Sequence, residues 1–118
     1  GNLFLVEVLE NTGFRFNLNG DQVDRILGYQ SKGEVVRTDA QTHPLINKQA
    51  MKQVALAAYY QSIVDNRSCR LCMGELHQRV DNAPYFESID CPLTNEQGEV
   101  THIVGVIEAV DSPPEPDR

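Results

Sequence analysis

The sequence predicts a single α+β domain in which a five-stranded antiparallel sheet packs against one short and one long helix. Three observations support this prediction: residues 3–20 alternate apolar and polar side chains, residues 44–66 repeat apolar side chains every three to four positions, and residues 69–110 return to strand-like runs. A chain of 118 residues is long enough for one compact domain and too short for two.

The N-terminal segment predicts a β-hairpin followed by a short helix. Residues 3–10 and 14–20 form the two strands, and the second strand places three apolar side chains on one face: Phe14, Phe16 and Leu18. Asp21 is placed to cap a helix of about two turns, which Gly28 ends. The apolar stripe of this helix consists of Val23, Ile26 and Leu27. Residues 30–42 are polar and predict a connecting loop.

A long amphipathic helix follows, from Pro44, which suits a first helical turn, to Asn66. Three strand-like runs complete the sheet, "CRLCMGELHQRV", "PYFESIDCPL" and "EVTHIVGVIEAV", and Gly98 is available for positive φ in the last turn. The final residues, "DSPPEPDR", contain three prolines and no apolar side chain. The predicted organisation is therefore one domain over residues 1–110 and a disordered proline-rich tail over residues 111–118.

The order of these elements resembles that of the PAS sensory domains, and the start of the chain is similar to a poorly characterised bacterial branch of small PAS-like proteins. The resemblance lies in "ILGYQSKGEVV" at the end of the short helix and in "PLTNEQGEVTHIVGV" in the last hairpin. It implies a sheet with strand order 2-1-5-4-3, so that the first and last strands are central neighbours, with both helices on one face. It also implies that any ligand lies between the helices and the sheet.

The predicted ligand pocket is formed by the long helix and the strands that face it. The adjacent Tyr59 and Tyr60 point about 100° apart on a helix, so one of them can direct its hydroxyl towards a ligand or both can be packing residues. The candidate pocket residues are Met51, Val54, Ala58, Tyr59, Leu71, Met73, Phe86 and Val104. The same residues also suit a plain apolar core.

The cysteines and histidines argue against a metal or a covalently linked cofactor. Three cysteines are too few and odd in number for a secreted disulfide framework, so reduced thiols are expected. Cys69 and Cys72 lie three residues apart, and on a strand such residues point to opposite faces, which predicts two unpaired thiols and no zinc site. The long helix has a histidine only at its start, His43, which disfavours haem, and residues 33–44 lack the cysteine of a cysteinyl-flavin sensor. The cofactor is left open.

Charge and hydropathy exclude two classes of partner. The net charge is −7 and neither Lys nor Arg forms a run, so direct nucleic-acid binding is not expected. No apolar run approaches the ~20 residues that span a bilayer, and the first residues lack the features of a signal peptide. We therefore expect no membrane contact and a cytoplasmic location.

The last strand predicts a homodimer. Its side chains are apolar on both faces, so one face requires a cover that the two helices do not supply. A second protomer or an N-terminal helix outside this sequence would provide it. The candidate residues for this dimer face are Leu3, Leu5, Ile103 and Ile107.

The sequence thus favours a non-catalytic sensory domain that binds a small ligand or a partner protein and acts through dimer or sheet-surface contacts on an unidentified output protein. One alternative is a small enzyme of the hot-dog or cone-shaped α+β type, but residues 46–64 offer no Asp, Glu or His as an acid or base. The other alternative is a purely structural dimerisation module without a ligand.

Overall fold

The computed structural model describes residues 1–10, 13–27, 33, 35–37, 48–80 and 82–112, without the side chains of residues 27, 48–54, 77 and 78. The elements in chain order are β1 (Leu3–Leu9), β2 (Gly13–Asn19), α1 (Asp21–Leu27), β3 (Val35–Arg37), α2 (Lys48–Asn66), β4 (Arg70–Val80), β5 (Ala83–Thr94) and β6 (Val100–Val110). The predicted start of the long helix at Pro44 and the tail residues 113–118 lie outside the described residues.

All six strands form one antiparallel sheet in the order β3-β2-β1-β6-β5-β4. The five long strands follow the predicted order, with the first and last adjacent at the centre. The prediction of five strands is wrong by one, because β3 pairs with β2 at the sheet edge. Val36 of β3 lies opposite Phe14 and both are buried. A strand of three residues is too short to show an alternating pattern, which is why this segment resembled a loop.

The core lies between one face of the sheet, here called the inner face, and the two helices. From α2, Ala57, Tyr60 and Ile63 point into it at the three-to-four spacing of a helix. The sheet contributes a ring of buried apolar side chains, which are Phe4, Val6, Phe14, Phe16, Val36, Val80, Ile103 and Ile107. The opposite face of the sheet, here called the outer face, carries no described helix.

An irregularity in the first hairpin places Leu18 on a different face from the one that the sequence predicts. Phe14 and Phe16 are buried as predicted, but Leu18 is 50% exposed. The register between β1 and β2 shifts between Leu5 and Val6, so Leu18 pairs with Leu5 rather than continuing the buried row. A β-bulge of this kind changes the face on which later side chains lie.

The hairpin between β5 and β6 closes as its sequence predicts. Gly98 has φ +81°, a conformation that favours glycine, and its amide donates to the Asn95 carbonyl at 3.0 Å. Asn95 in turn donates its backbone amide to Glu99 at 2.9 Å. Among the described helices, none combines the length and hydropathy that a bilayer crossing requires.

Candidate functional site

A buried polar cluster joins α2 to the inner face of the sheet. The Tyr59 hydroxyl on α2 donates a hydrogen bond to Oδ2 of Asp90 on β5. The Ser88 hydroxyl, two residues earlier on the same face of β5, donates to the same oxygen at 3.0 Å. Two donors from different elements therefore converge on one carboxylate oxygen, which ties the helix to the strand.

The carboxylate of Asp90 is in an unusual electrostatic environment. Asp90 is only 1% exposed, and no described cation forms an ion pair with it. Burial raises its pKa, while the hydrogen bonds from Tyr59 and Ser88 act in the opposite direction. Burial also raises the pKa of Tyr59, and the neighbouring carboxylate raises it further because it accepts the phenol proton in a hydrogen bond. The phenol of Tyr59 therefore stays protonated and donates its hydrogen bond from α2 to Asp90 on β5.

Arg70 covers the cluster at its solvent side. It lies opposite Asp90 in the β4–β5 register, and its guanidinium carbon is 5.1 Å from the centre of the Tyr59 ring. Its Nη1 donates to the Ser62 hydroxyl at 2.6 Å, and that hydroxyl donates to the Tyr59 carbonyl at 2.6 Å. Arg70 therefore stacks on the ring of Tyr59 and binds the next turn of α2.

The neighbouring central strand makes room for the cluster with a glycine. A Cβ built at Gly105 of β6 would overlap the Phe4 ring and would lie 2.5 Å from Oδ1 of Asp90. Gly105 pairs with both Phe4 and Asp90 in the sheet. Only a residue without a side chain lets these two groups pack above the strand.

Cys72 contributes a thiol to the same face. It pairs with Ser88 and is half-buried, and burial followed by the nearby Asp90 charge raises the pKa of its thiol. A thiol with a raised pKa is a poor nucleophile at neutral pH. Among the described residues, no group of three or more His, Cys, Asp or Glu side chains is arranged to hold a metal ion.

The other two cysteines form a disulfide, which corrects the expectation of three reduced thiols. Cys69, just before β4, is bonded to Cys91 of β5 across 22 residues of sequence, and Cys72 is free. The spacing argument correctly separated Cys69 from Cys72, but it did not consider a partner on the adjacent strand. Cys69 and Cys91 meet because β4 and β5 pair with Arg70 opposite Asp90, a register that the sequence does not specify.

The structure brings together only part of the predicted pocket. Tyr59 points from α2 towards the inner face and joins the polar cluster, and Phe86 of β5 lies on that face against the core. Ala58 is exposed on α2, so it does not face the sheet. The prediction that Leu71, Met73 and Val104 line the pocket is wrong, because strand alternation places them on the outer face. The side chains of Met51 and Val54 lie outside the described residues.

The structure places only part of the predicted dimer face on the outer face of the sheet. Leu3 and Leu5 lie on the outer face. The assignment of Ile103 and Ile107 to that face is wrong, because both are buried in the core beneath the helices. β6 is apolar on both faces, so its sequence did not indicate which set points inwards.

Several residues of the cluster were missed from sequence. Asp90 and Ser88 follow Phe86 at intervals of two, so all three belong to one face of a strand. The other face of the same strand carries Ile89 and Leu93 and is the more apolar of the two, so the sequence did not indicate that Asp90 is buried. The roles of Arg70 and Gly105 depend on strand pairing.

Comparisons with known proteins identify the architecture. No family model matches the chain, and no curated protein matches it. Among solved structures, a sensory box sensor histidine kinase from Vibrio cholerae superimposes with a TM-score of 0.55 at 12% identity, covering 92% of this chain and 82% of the other. The PAS domain of BvgS from Bordetella pertussis gives a TM-score of 0.54 at 17% identity, covering 93% and 76%. The chain has a PAS-like fold. At these identities the likeness concerns the PAS-like architecture alone.

Proposed function

We propose that the chain is a non-catalytic sensory domain of a signalling protein and that it acts through the outer face of its sheet. The PAS-like fold supports this proposal, since the two similar structures are described as a sensor histidine kinase and as a PAS domain. Fold alone does not define function, so the proposal depends on the surfaces that this chain presents.

The observation that carries the proposal is the apolar character of the outer face. A row of exposed side chains crosses four strands through the pairs Leu3–Val106, Val106–Ile89 and Ile89–Leu71. A second row runs through Leu18, Leu5, Val104 and Cys91. Together with Met73 and Leu93, these two rows are here called the apolar face. Contiguous apolar surface of this kind marks an interaction site.

The surroundings of the apolar face resemble the edge of a protein interface. Glu87 and Glu108 border it at one end of the strands, and Glu7 and His102 border it at the other. An apolar centre with a polar rim is the usual anatomy of such surfaces. We propose a second copy of this chain as the occupant, which makes the domain a homodimer. An unidentified output protein would then respond to changes in this dimer.

A ligand would occupy the space between α2 and the inner face, beside the polar cluster. Arg70 is exposed and offers a guanidinium there, and Phe86 offers an apolar wall. Such a combination suits a small molecule with both polar and apolar parts. Native mass spectrometry and an absorption spectrum of one sample test this part of the proposal. A non-covalent adduct supports it, whereas an apo mass without visible absorbance favours the structural dimerisation module.

An enzymatic role is not favoured by the geometry of the cluster. Asp90 has in Tyr59 a hydrogen-bond partner that the sequence alone did not reveal, but the carboxylate is buried and already accepts two hydrogen bonds. A catalytic carboxylate has to reach its substrate within hydrogen-bonding distance.

The predicted cytoplasmic location stays a prediction, and the Cys69–Cys91 disulfide favours an oxidising compartment instead.

Sedimentation velocity over a range of protein concentrations tests the dimer. Leu71→Glu places a charge at an apolar side chain of this face that is 64% exposed, and we expect this variant to sediment as a monomer where the unmodified chain is a dimer. Ala58→Glu is the matched control, because it adds the same charge on the exposed side of α2. If the unmodified chain is monomeric throughout, or if both variants behave alike, the proposed use of the apolar face is wrong.

A further inference from the structure

The disulfide lies directly beside the polar cluster, on the other side of the sheet. Cys69 immediately precedes Arg70, and Cys91 immediately follows Asp90. Arg70 and Asp90 are opposite one another in the β4–β5 register and face α2. Because successive residues of a strand point to opposite faces, the disulfide lies on the outer face behind this pair. Each disulfide cysteine is therefore the direct sequence neighbour of a cluster residue, Cys69 of Arg70 and Cys91 of Asp90.

The disulfide also fixes the point where the helix layer meets the sheet. α2 ends at Asn66, and the Arg67 amide donates to the Ile63 carbonyl at 2.9 Å in the last helical turn. Arg67 has φ +52°, in the left-handed region, so the chain turns sharply there. Only Arg67, Ser68 and Cys69 separate α2 from β4. The bond from Cys69 to Cys91 thus attaches the end of this three-residue connection to β5.

At its start, the strand that the disulfide anchors is otherwise held by its pairing with β5 and by the contacts of Arg70 with α2. β4 is an edge strand, paired only with β5. Its pairing is regular from Arg70 to Glu75 and then shifts before Val80. Edge strands and chain turns open more readily than central strands, because fewer contacts hold them. Without the disulfide, the first residues of β4 and the last turn of α2 therefore have fewer restraints against local opening.

We propose that the Cys69–Cys91 pair is a redox-sensitive clamp that couples the oxidation state of the surroundings to the Tyr59–Asp90 contact. In the disulfide form the clamp holds Arg70 opposite Asp90 and keeps Tyr59 bonded to the carboxylate. In the dithiol form the start of β4 separates from β5 and this contact weakens. The clamp does not depend on the proposed sensory function. Because Cys91 belongs to the apolar face, the exchange is proposed for the chain with that face uncovered.

The reaction is a two-electron thiol–disulfide exchange with a dithiol reductant. A thiolate of the reductant attacks one sulfur of the Cys69–Cys91 bond and releases the other as a thiolate, which leaves a mixed disulfide. The second reductant thiolate then attacks the reductant's own sulfur in that mixed disulfide and releases the remaining cysteine. The reductant ends as its own disulfide, and Cys69 and Cys91 each end with one proton. Cys69 is exposed, so a reductant can approach it from solvent. Cys72 points to the inner face and takes no part in the exchange.

A double-mutant cycle tests the coupling between the clamp and the cluster. Tyr59→Phe is introduced into the oxidised chain and into the variant Cys69→Ser/Cys91→Ser, and urea unfolding is measured for all four proteins. We expect Tyr59→Phe to raise the unfolding equilibrium constant by roughly tenfold or more in the oxidised chain and by only about threefold in the double-serine background. Equal factors in both backgrounds overturn the proposal, because the disulfide would then be an independent structural link.

Hydrogen exchange of the unsubstituted chain supplies a test without any substitution. Treatment with dithiothreitol should accelerate exchange by roughly tenfold in peptides covering residues 61–73 and 86–92, and leave the β1–β2 hairpin unchanged. Cys72→Ser is the control, since its exchange should respond to dithiothreitol as the unsubstituted chain does. A response spread evenly over all peptides, or no response after complete reduction, contradicts the clamp.

Discussion

Tyr59 and Asp90, 31 residues apart in sequence, are joined by a hydrogen bond from the phenol of α2 to the carboxylate of β5. This contact fastens the helix layer to the sheet at a point where Arg70 stacks on the phenol ring and Ser88 donates to the same carboxylate. The carboxylate has no ion-pair partner among the described residues. The free-energy cost of burying the Asp90 carboxylate is therefore reduced by these neutral donors and by protonation of the carboxylate.

Removing the phenol hydroxyl should destabilise the fold. Tyr59→Phe leaves Asp90 with one donor instead of two, and hydrogen bonds to buried charged groups contribute about 1.5–3 kcal/mol. We expect the free energy of unfolding, measured with urea, to fall by about 2 kcal/mol. Tyr85→Phe on β5 is the control and should change it by less than about 0.5 kcal/mol, since no described group hydrogen-bonds to that hydroxyl. Equal losses from the two substitutions would show that the Tyr59–Asp90 bond adds nothing specific.

Replacing the carboxylate should remove a pH dependence of stability. The pKa of Asp90 is raised above its ordinary value of 3.8, so the folded chain retains a proton that the unfolded chain has lost. The stability that this proton provides is present at low pH and is lost as pH rises through the folded pKa. As pH falls from neutral towards the ordinary value of 3.8, the unfolding free energy of the unsubstituted chain should therefore rise relative to that of Asp90→Asn, with a slope of at most about 1.4 kcal/mol per pH unit.

The comparison between the two proteins isolates Asp90 from the other acids. The pKa of Asp21 is lowered by its hydrogen bond to the N-terminal ammonium group, which gives a dependence of opposite sign, but that residue is the same in both proteins. Urea unfolding at a series of pH values provides the measurement. A difference that stays constant across the series would mean that Asp90 titrates alike in the folded and unfolded chains.

Adding one methyl group to the central strand should disrupt the cluster. Gly105→Ala forces the Phe4 ring and the Asp90 carboxylate to move, and overpacking of this kind costs about 1–3 kcal/mol. Gly74→Ala is the matched control on the edge strand, where the new carbon would meet only the Phe86 ring at 3.0 Å. Thermal unfolding should rank Gly105→Ala well below Gly74→Ala, and the reverse order would contradict the described packing.

Alkylation should distinguish the three cysteines. Chain purified without reductant, denatured and treated with iodoacetamide should carry one carbamidomethyl group, on Cys72, because Cys69 and Cys91 are joined. After reduction all three cysteines should be modified. Peptide mass mapping reads out both states. Modification of Cys69 or Cys91 before reduction would exclude the disulfide in that preparation.

Local patterns predicted most of the fold, because strands and helices leave periodic signals. The hairpin, α1, α2 and the last three strands all followed from such patterns, whereas β3 was missed because three residues make no period. The candidate site was less accessible, since it depends on which strands pair and in what register. The Cys69–Cys91 bond and the position of Gly105 beneath Asp90 both result from pairing. The sequence analysis also assigned the inner and outer faces of β6 the wrong way round, because both faces are apolar.

The central claim is that the apolar face is a docking surface for a second copy of this chain. A dilution series of methyl-resolved NMR spectra tests it most directly, because the methyl groups concerned are on the proposed interface. Concentration-dependent shifts or broadening should be confined to outer-face methyls such as those of Leu3, Ile89 and Val106, while those of Ile63 and Ile103 in the core stay unchanged. Spectra that do not change with concentration, or changes centred on α2, would contradict the account.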